Sequence, residues 1–246
     1  MRFQRFFKTI IALGLVLAMV FGYLPVDYLN EDNHVYAAEF ESAKEVELSF
    51  EGNANDSSGK SNNGTISNGG TFVEGVSGQA LNLGGNTYVD LGTSASLQPE
   101  NLTVSMWVKA NGALNGEHIL TWFKPDGNYQ GKGWYLSCLD NSTPLKLSVG
   151  ESSGQPYEIY IAGDRNTFFP SDEWVHIVVT YDSATKKAAM YRNGVAQELV
   201  YINTESTLTN DSSSHKYIGF NSPKYGGGYA NMAIDEFAVY SQVASA

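Results

Sequence analysis

The chain has 246 residues, with 15 lysines and arginines against 26 aspartates and glutamates, for a formal net charge of −11. That surplus disfavours nucleic acid and anionic membranes as partners, because both are bound through clustered cations. A single cysteine, Cys138, excludes an internal disulfide, and its setting Trp-Tyr-Leu-Ser-Cys-Leu predicts a small buried hydrophobe.

At the N-terminus, Arg2, Arg5 and Lys8 precede an apolar run from Ile10 to Phe21. A polar stretch then leads to Val35-Tyr36-Ala37, which fits the small-residue rule for cleavage. Residues 1–37 are therefore expected to be a secretory signal peptide, and the mature protein to be extracellular, free or at the cell surface. The run is about a dozen residues, short of the roughly 20 a spanning helix needs, so no membrane insertion is expected after cleavage. Residues 38–45 form a short charged lead-in, and 46–243 are expected to be one domain.

The rest of the chain offers short runs of β-branched and aromatic residues separated by Gly, Asn, Asp and Ser clusters, which predicts an all-β sandwich or barrel. Leu102, Val104, Met106 and Val108 alternate with Thr103, Ser105, Trp107 and Lys109, a strand with one apolar face. Trp174–Tyr181 reads as a central strand buried on both sides. Asp182–Thr185 turns the chain, Ala188–Arg192 returns, and Asn193-Gly194 predicts a tight hairpin turn into a strand over Val195–Val200. Lys216–Phe220 and Met232–Tyr240 are the last strands, around the Gly-rich loop Tyr225–Tyr229. Trp107 and Trp174 are expected in the core, and no internal repeat is evident.

Several segments together carry a family resemblance. They are Leu48-Ser49-Phe50-Glu51-Gly52-Asn53 through Asn63-Gly64; Gly78-Gln79-Ala80-Leu81-Asn82-Leu83-Gly84-Gly85 with Tyr88–Leu91; Leu102–Lys109; and Trp174–Asp182 with Tyr191-Arg192-Asn193-Gly194 and Ile234–Tyr240. In this order they resemble the laminin-G-like branch of the concanavalin A-like lectin/glucanase superfamily, of the bacterial secreted type. The resemblance implies a two-sheet antiparallel jelly-roll sandwich; one fold serves many ligands, so it says less about function.

Relatives that cleave glucans carry paired acids on one strand, because two carboxylates must flank the scissile bond. No such Glu-x-Asp-x-Glu triplet occurs here. Asp172-Glu173 and Asp235-Glu236 are adjacent, so along regular strands they would face opposite ways. The histidines lack a zinc-type spacing, His176 reads as structural, and no Gly-x-Ser-x-Gly elbow exists. No catalytic residues are expected, although the domain could be the targeting part of a larger polysaccharide-active enzyme.

A calcium ion is the expected cofactor, with a structural role. Asp235 is expected to share the face of Phe237 and Val239, where an unpaired charge would be costly. In proteins the chain resembles, the acid after the first strand and the acid of the Ile-Asp-Glu segment meet over one cation held by oxygen ligands. Carried over, this implies Glu51 and Asp235, with Asn53 and the carbonyl of Lys60 as further ligands.

Sugar binding needs exposed aromatics for stacking on pyranose rings. The loop-borne candidates are Trp122, Tyr129 and Trp134 around Lys124–Asn128, then Tyr157, Arg165, Tyr225 and Tyr229. The expected function is a secreted, non-catalytic, lectin-like module for a polysaccharide or glycan. An adhesion or protein-interaction domain is the alternative, and a glycoside hydrolase or lyase a third.

Overall fold

The computed structural model describes residues 39–114, 118–123, 133–152, 155–202, 213–221 and 229–244. Within them the strands are β1 (Lys44–Leu48), β2 (Thr65–Ser67), β3 (Thr71–Glu74), β4 (Gln79–Asn82), β5 (Tyr88–Asp90), β6 (Leu102–Ala110), β7 (His118–Phe123) and β8 (Trp134–Cys138). They continue with β9 (Leu145–Ser152), β10 (Gln155–Ile161), β11 (Trp174–Asp182), β12 (Lys187–Arg192), β13 (Val195–Ala196), β14 (Val200–Ile202), β15 (Tyr217–Ile218) and β16 (Met232–Tyr240). One short helix, α1 (Arg165–Phe168), opens with the Asp164 side chain accepting from the Thr167 amide.

These strands form two antiparallel sheets, the jelly-roll sandwich the alternating patterns predict. The first runs β13-β12-β11-β6-β16-β4-β3, with β1 also on β16, and the second runs β14-β10-β9-β8-β7-β15-β5-β2. Between them lies one continuous apolar core. Leu102, Val104, Met106 and Val108 supply it from β6, and Leu136, Leu147 and Ile159 face them from the second sheet. Burying each such side chain is worth about 1.5–3 kcal/mol relative to exposure. Cys138 is one of these buried residues.

The Asn193-Gly194 turn forms as predicted, with φ of 48° and 76°, the left-handed values a two-residue hairpin requires. Beyond it the prediction of one strand over 195–200 fails. Val195–Ala196 pairs with β12 in the first sheet, whereas Val200–Ile202 pairs with β10 in the second, so the chain changes sheets there. Trp107 and Trp174 are not core residues either. Both lie on the outward phase of their strands, Trp107 with its ring 4.9 Å from that of His176, and Trp174 beneath Lys109 Nζ at 4.9 Å.

β16 organises one end of the first sheet. Its residues Ala233 and Ile234 pair with β4, while Phe237–Tyr240 pair with β1, so its free edge changes partner midway. At the change sits a bulge between Asp235 and Ala238, with Glu236 at φ 46°. The extra residue shifts the strand's phase. Ile234 and Phe237 both reach the core, and Asp235 pairs with Trp107 on the outer side. The expectation that Asp235 shares a face with Phe237 and Val239 is therefore corrected.

Candidate functional site

Two places on the sandwich bring chemistry-bearing side chains together. One is an acidic rim where β1 and β4 part. The turn between β3 and β4 closes with the Gly75 amide donating to the Gly78 carbonyl (3.1 Å). Asp235 grips it from one side: its Oδ2 accepts from the amides of Val76 (2.8 Å) and Ser77 (3.3 Å), and its Oδ1 from that of Glu236 (2.9 Å). Glu51 grips it from the other, Oε1 accepting from the Gln79 amide (3.1 Å). The fit is tight. A Cβ added at Gly78, whose φ is +59°, would lie 2.0 Å from Glu51 Oε1, and one at Gly75 2.6 Å from Asp235 Oδ2.

The rim's electrostatics are those of crowded acids. Burial pushes the Asp235 carboxyl above its ordinary range, three amide hydrogen bonds oppose this, and the charge of Glu51 pushes the same way as burial. Glu236 rises to about 7, first through burial and then through Asp235, Glu47 and Glu51. Hard oxygen donors in a negative field are what a divalent cation takes. Of the four residues expected as ligands, the structure brings Glu51 and Asp235 to one turn. Asn53 instead spends its side chain locally, donating to the Glu51 carbonyl (2.9 Å) and accepting from the Asn55 amide (2.8 Å). The Lys60 amide donates to Ser58 Oγ (3.2 Å) in a loop gathered by Asp56. The Asp56 carboxylate, which the sequence reading passed over, accepts from the amides of Glu47, Ser58 and Asn62. Among the described residues no three His, Cys, Asp or Glu side chains converge on one point.

The second place is the outer face of the second sheet. Backbone register sets one row across all eight strands, Ile202–Glu158–Ser148–Tyr135–Trp122–Tyr217–Asp90–Thr65. Near its end stands an aromatic cluster separate from the inter-sheet core. Phe220 is stacked between Tyr88 (4.5 Å) and Tyr229 (4.8 Å), and the Tyr217 ring meets the edges of Tyr88 and Phe220 at 5.7 and 5.4 Å. His215 lies parallel to Tyr217 and holds Asp90 through Nδ1 at 2.8 Å. Toward the other end, Lys146 Nζ donates to Glu158 Oε1 (3.0 Å) and sits 5.3 Å from the Tyr135 ring centroid. Burial works against the Lys146 charge, yet Tyr135 and Glu158 outweigh it and hold its pKa above the ordinary value. Between these groups the Ser137 hydroxyl is fully buried and has no hydrogen-bond partner.

The aromatic candidates from the sequence divide accordingly. Tyr229 joins the cluster, and the backbone of Trp122 sits in the row opposite both Tyr217 and Tyr135. Trp134 is corrected to a core residue: it is fully buried, packs 4.4 Å from Phe123, and donates from Nε1 to the Leu97 carbonyl. Arg165 is likewise structural, buried at 1% exposure with Nη2 donating to the Leu114 carbonyl and Asn141 Oδ1. Tyr157 lies in β10 with its side chain outside the described set, and Tyr129 and Tyr225 fall outside the described residues. Tyr88, Tyr135, Tyr217 and Phe220 were missed. For the three tyrosines the signal was present as aromatics on the off-core phase of strands whose alternate positions are Val89, Leu136 and Ile218; Phe220 lies past the end of β15 and carried no such signal.

Residues 83–246 match the family model described as the concanavalin A-like lectin/glucanases superfamily. The chain belongs to that superfamily. A search of curated proteins found no match. Among solved structures, the binding domain of Paraclostridial Mosquitocidal Protein 1 superposes with a TM-score of 0.64 at 20% identity, over 83% of this chain and 50% of that one. A botulinum neurotoxin type C structure, titled for cell entry dependent on two ganglioside molecules, gives 0.61 at 15% identity over 84% and 49%. The botulinum neurotoxin DC binding domain in complex with rat synaptotagmin II gives 0.57 at 13% over 83% and 49%. The chain thus spans about half the length of each; at these identities the likeness is one of fold.

Proposed function

We propose that the protein is a secreted glycan-binding module that holds its ligand on the outer face of the second sheet and carries a structural calcium ion at the rim. The observation that carries the reading is the aromatic cluster of Tyr88, Tyr217, Phe220 and Tyr229, gathered outside the inter-sheet core. Tyr217 and Phe220 are buried within it, so faces for pyranose stacking come from the half-buried rings of Tyr88 and Tyr229, whose hydroxyls add hydrogen bonds to sugar hydroxyls. The leader-like pattern of residues 1–37 supports export, and the fold is shared with a botulinum neurotoxin type C whose cell entry depends on two ganglioside molecules. Binding rather than bond cleavage is favoured because Asp235 and Glu51, acids that stand together, spend oxygens on holding a turn. The test is a polysaccharide and glycan array, with Tyr88→Ala beside the parent chain: retention of a glycan that the variant loses supports the reading, and an array without a ligand sinks it.

Calcium would be held by Glu51 and Asp235, with carbonyls of the loop that follows β1. Its contribution would be to offset the mutual repulsion of these acids and to tie β1, the β3–β4 turn and β16 together. The check is thermal melting with calcium against chelator: saturation at about 100 times the dissociation constant would stabilise by about 2.7 kcal/mol. An unchanged midpoint would remove the ion from the proposal. A protein-binding alternative draws on the exposed apolar side chains of Val195, Val200 and Ile202 at the sandwich edge. Retention of a surface protein with no glycan would favour it.

A further inference from the structure

We propose that the sandwich edge formed by β13 and β14 binds an extended segment of another protein as an added strand, one with apolar side chains and a lysine or arginine end. This edge lies at the far end of the second sheet from the Tyr88 and Tyr229 rings, so strand binding and glycan binding can fail independently.

The edge is apolar on both of its sides. β13 is the outermost strand of the first sheet and β14 of the second, and residues 197–199 join them. Among the described residues, the large apolar side chains that stand exposed are Val195 (64%), Val200 (38%) and Ile202 (44%), all on this one segment. Val200 and Ile202 pair with Tyr160 and Glu158, on the outer side of the second sheet. Val195 pairs with Arg192, which pairs with the core residue Ile177, so Val195 faces the gap between the sheets. Tyr201 closes part of that gap, its hydroxyl donating to the Ala188 carbonyl (3.1 Å). A strand laid beside β14 therefore meets apolar groups whichever way its side chains point. The opposite edge is built differently: on β2 and β3 the exposed positions are Thr65, Thr71 and Glu74. Proteins blunt exposed strand edges with polar and charged residues of this kind, and an apolar edge is a template for pairing.

Area and charge decide between occupants. Each copy in a stable dimer buries roughly 800 Å². Three aliphatic side chains on two short strands supply a small part of that, and two chains each at −11 repel. An extended segment needs less surface, because main-chain hydrogen bonds along β14 give affinity and the flanking side chains give specificity. Glu198 sets the charge of that segment. It stands just before β14, is exposed, and makes no ion pair among the described residues. Lys187 Nζ lies over the Tyr201 ring, 5.0 Å from its centroid, so the anionic end of the edge is the Glu198 end. A cation at the matching end of the partner answers it.

The experiment follows fluorescence polarisation of labelled peptides of about seven residues, alternating valine and threonine, against the full chain. One peptide has lysine at both ends, one has glutamate, and one repeats the lysine form with every internal amide methylated. Expected is saturable binding of the lysine form, at least about fivefold tighter than the glutamate form at about 50 mM salt and less so at about 500 mM. The methylated form has no donors for a ladder and should lose binding. Val200→Lys combined with Ile202→Lys should abolish binding while the melting midpoint stays near the parent's, since both side chains are exposed. Glu198→Lys should remove the preference for lysine ends. Absent binding of the lysine form, equal binding of the methylated form, or a preference for glutamate ends overturns the proposal. So does a dimer in sedimentation that the doubly substituted chain no longer forms, which gives the edge to a second copy.

Discussion

The two outer faces of the sandwich solve the same problem differently. On the first sheet, small polar side chains find partners in the backbone or in a neighbouring side chain. Thr103 Oγ1 donates to the Gln242 carbonyl and accepts from the Ala244 amide, Ser105 Oγ pairs with His176 Nε2 at 3.0 Å, and Thr180 Oγ1 accepts from the Ala189 amide. On the second sheet the corresponding positions carry rings, a paired lysine and glutamate, and a buried hydroxyl with no partner. A face whose polar groups are satisfied internally has its hydrogen-bonding capacity spent on the fold, whereas the half-buried rings of Tyr88 and Tyr229 keep a side that a ligand can reach. Substitutions on the first face should therefore cost stability, and those at these rings should cost binding.

The largest expected effect is at Asp235, on the outer side of the first sheet. Asp235→Ala removes the acceptor of three amides and is expected to destabilise by about 3 kcal/mol in urea unfolding. Asp235→Asn keeps an acceptor oxygen, so it should recover part of this loss while abolishing any rise in melting midpoint with calcium. If both variants melt like the parent, the turn is not held as described.

His176 gives the comparison a pH axis. Burial lowers its pKa to about 4 from an ordinary 6.5, so the folded chain holds it neutral. A depressed histidine pKa means the unfolded chain binds the proton more readily. The associated stability is complete above pH 6.5 and is lost as pH falls toward 4, by roughly 3 kcal/mol in total. Melting midpoints of His176→Phe should show a shallower decline across that window than those of the parent. Parallel curves would mean that the imidazole titrates as if exposed.

What could be read from the sequence followed from period. β6 and β11 are legible because their burial alternates or saturates along one strand, a local property of Leu102–Val108 and Trp174–Tyr181. Trp107 and Trp174 were misjudged since large aromatics suit either face of a sheet, and only the partner strands decide which. The phase of Asp235 was hidden by the bulge at Glu236, which inserts a residue where β16 changes neighbours. Of the binding face, Tyr229 was anticipated from its Gly-rich loop, whereas Tyr88 and Tyr217 stand 129 positions apart and meet only through the pairing of β5 with β15. Glu51 and Asp235 were reachable through family resemblance, yet the turn they clamp between Gly75 and Gly78 was not.

The smallest effect discriminates best, because it compares one substitution at two matched sites. Ser105 and Ser137 are both buried serines on outward strand positions, at 2% and 0% exposure. Ser105 has a partner in His176, so Ser105→Ala should cost about 1 kcal/mol, the usual net worth of such a bond, and leave glycan affinity unchanged. Ser137 has none, so Ser137→Ala discards a hydroxyl that was already unsatisfied and should leave stability the same or slightly higher. Fully buried, that hydroxyl is out of a ligand's reach, so glycan affinity should be unchanged there too. Equal stability losses at the two sites would show that Ser137 is bonded in the free protein. The difference between the two faces would then have to rest on the aromatic rings alone.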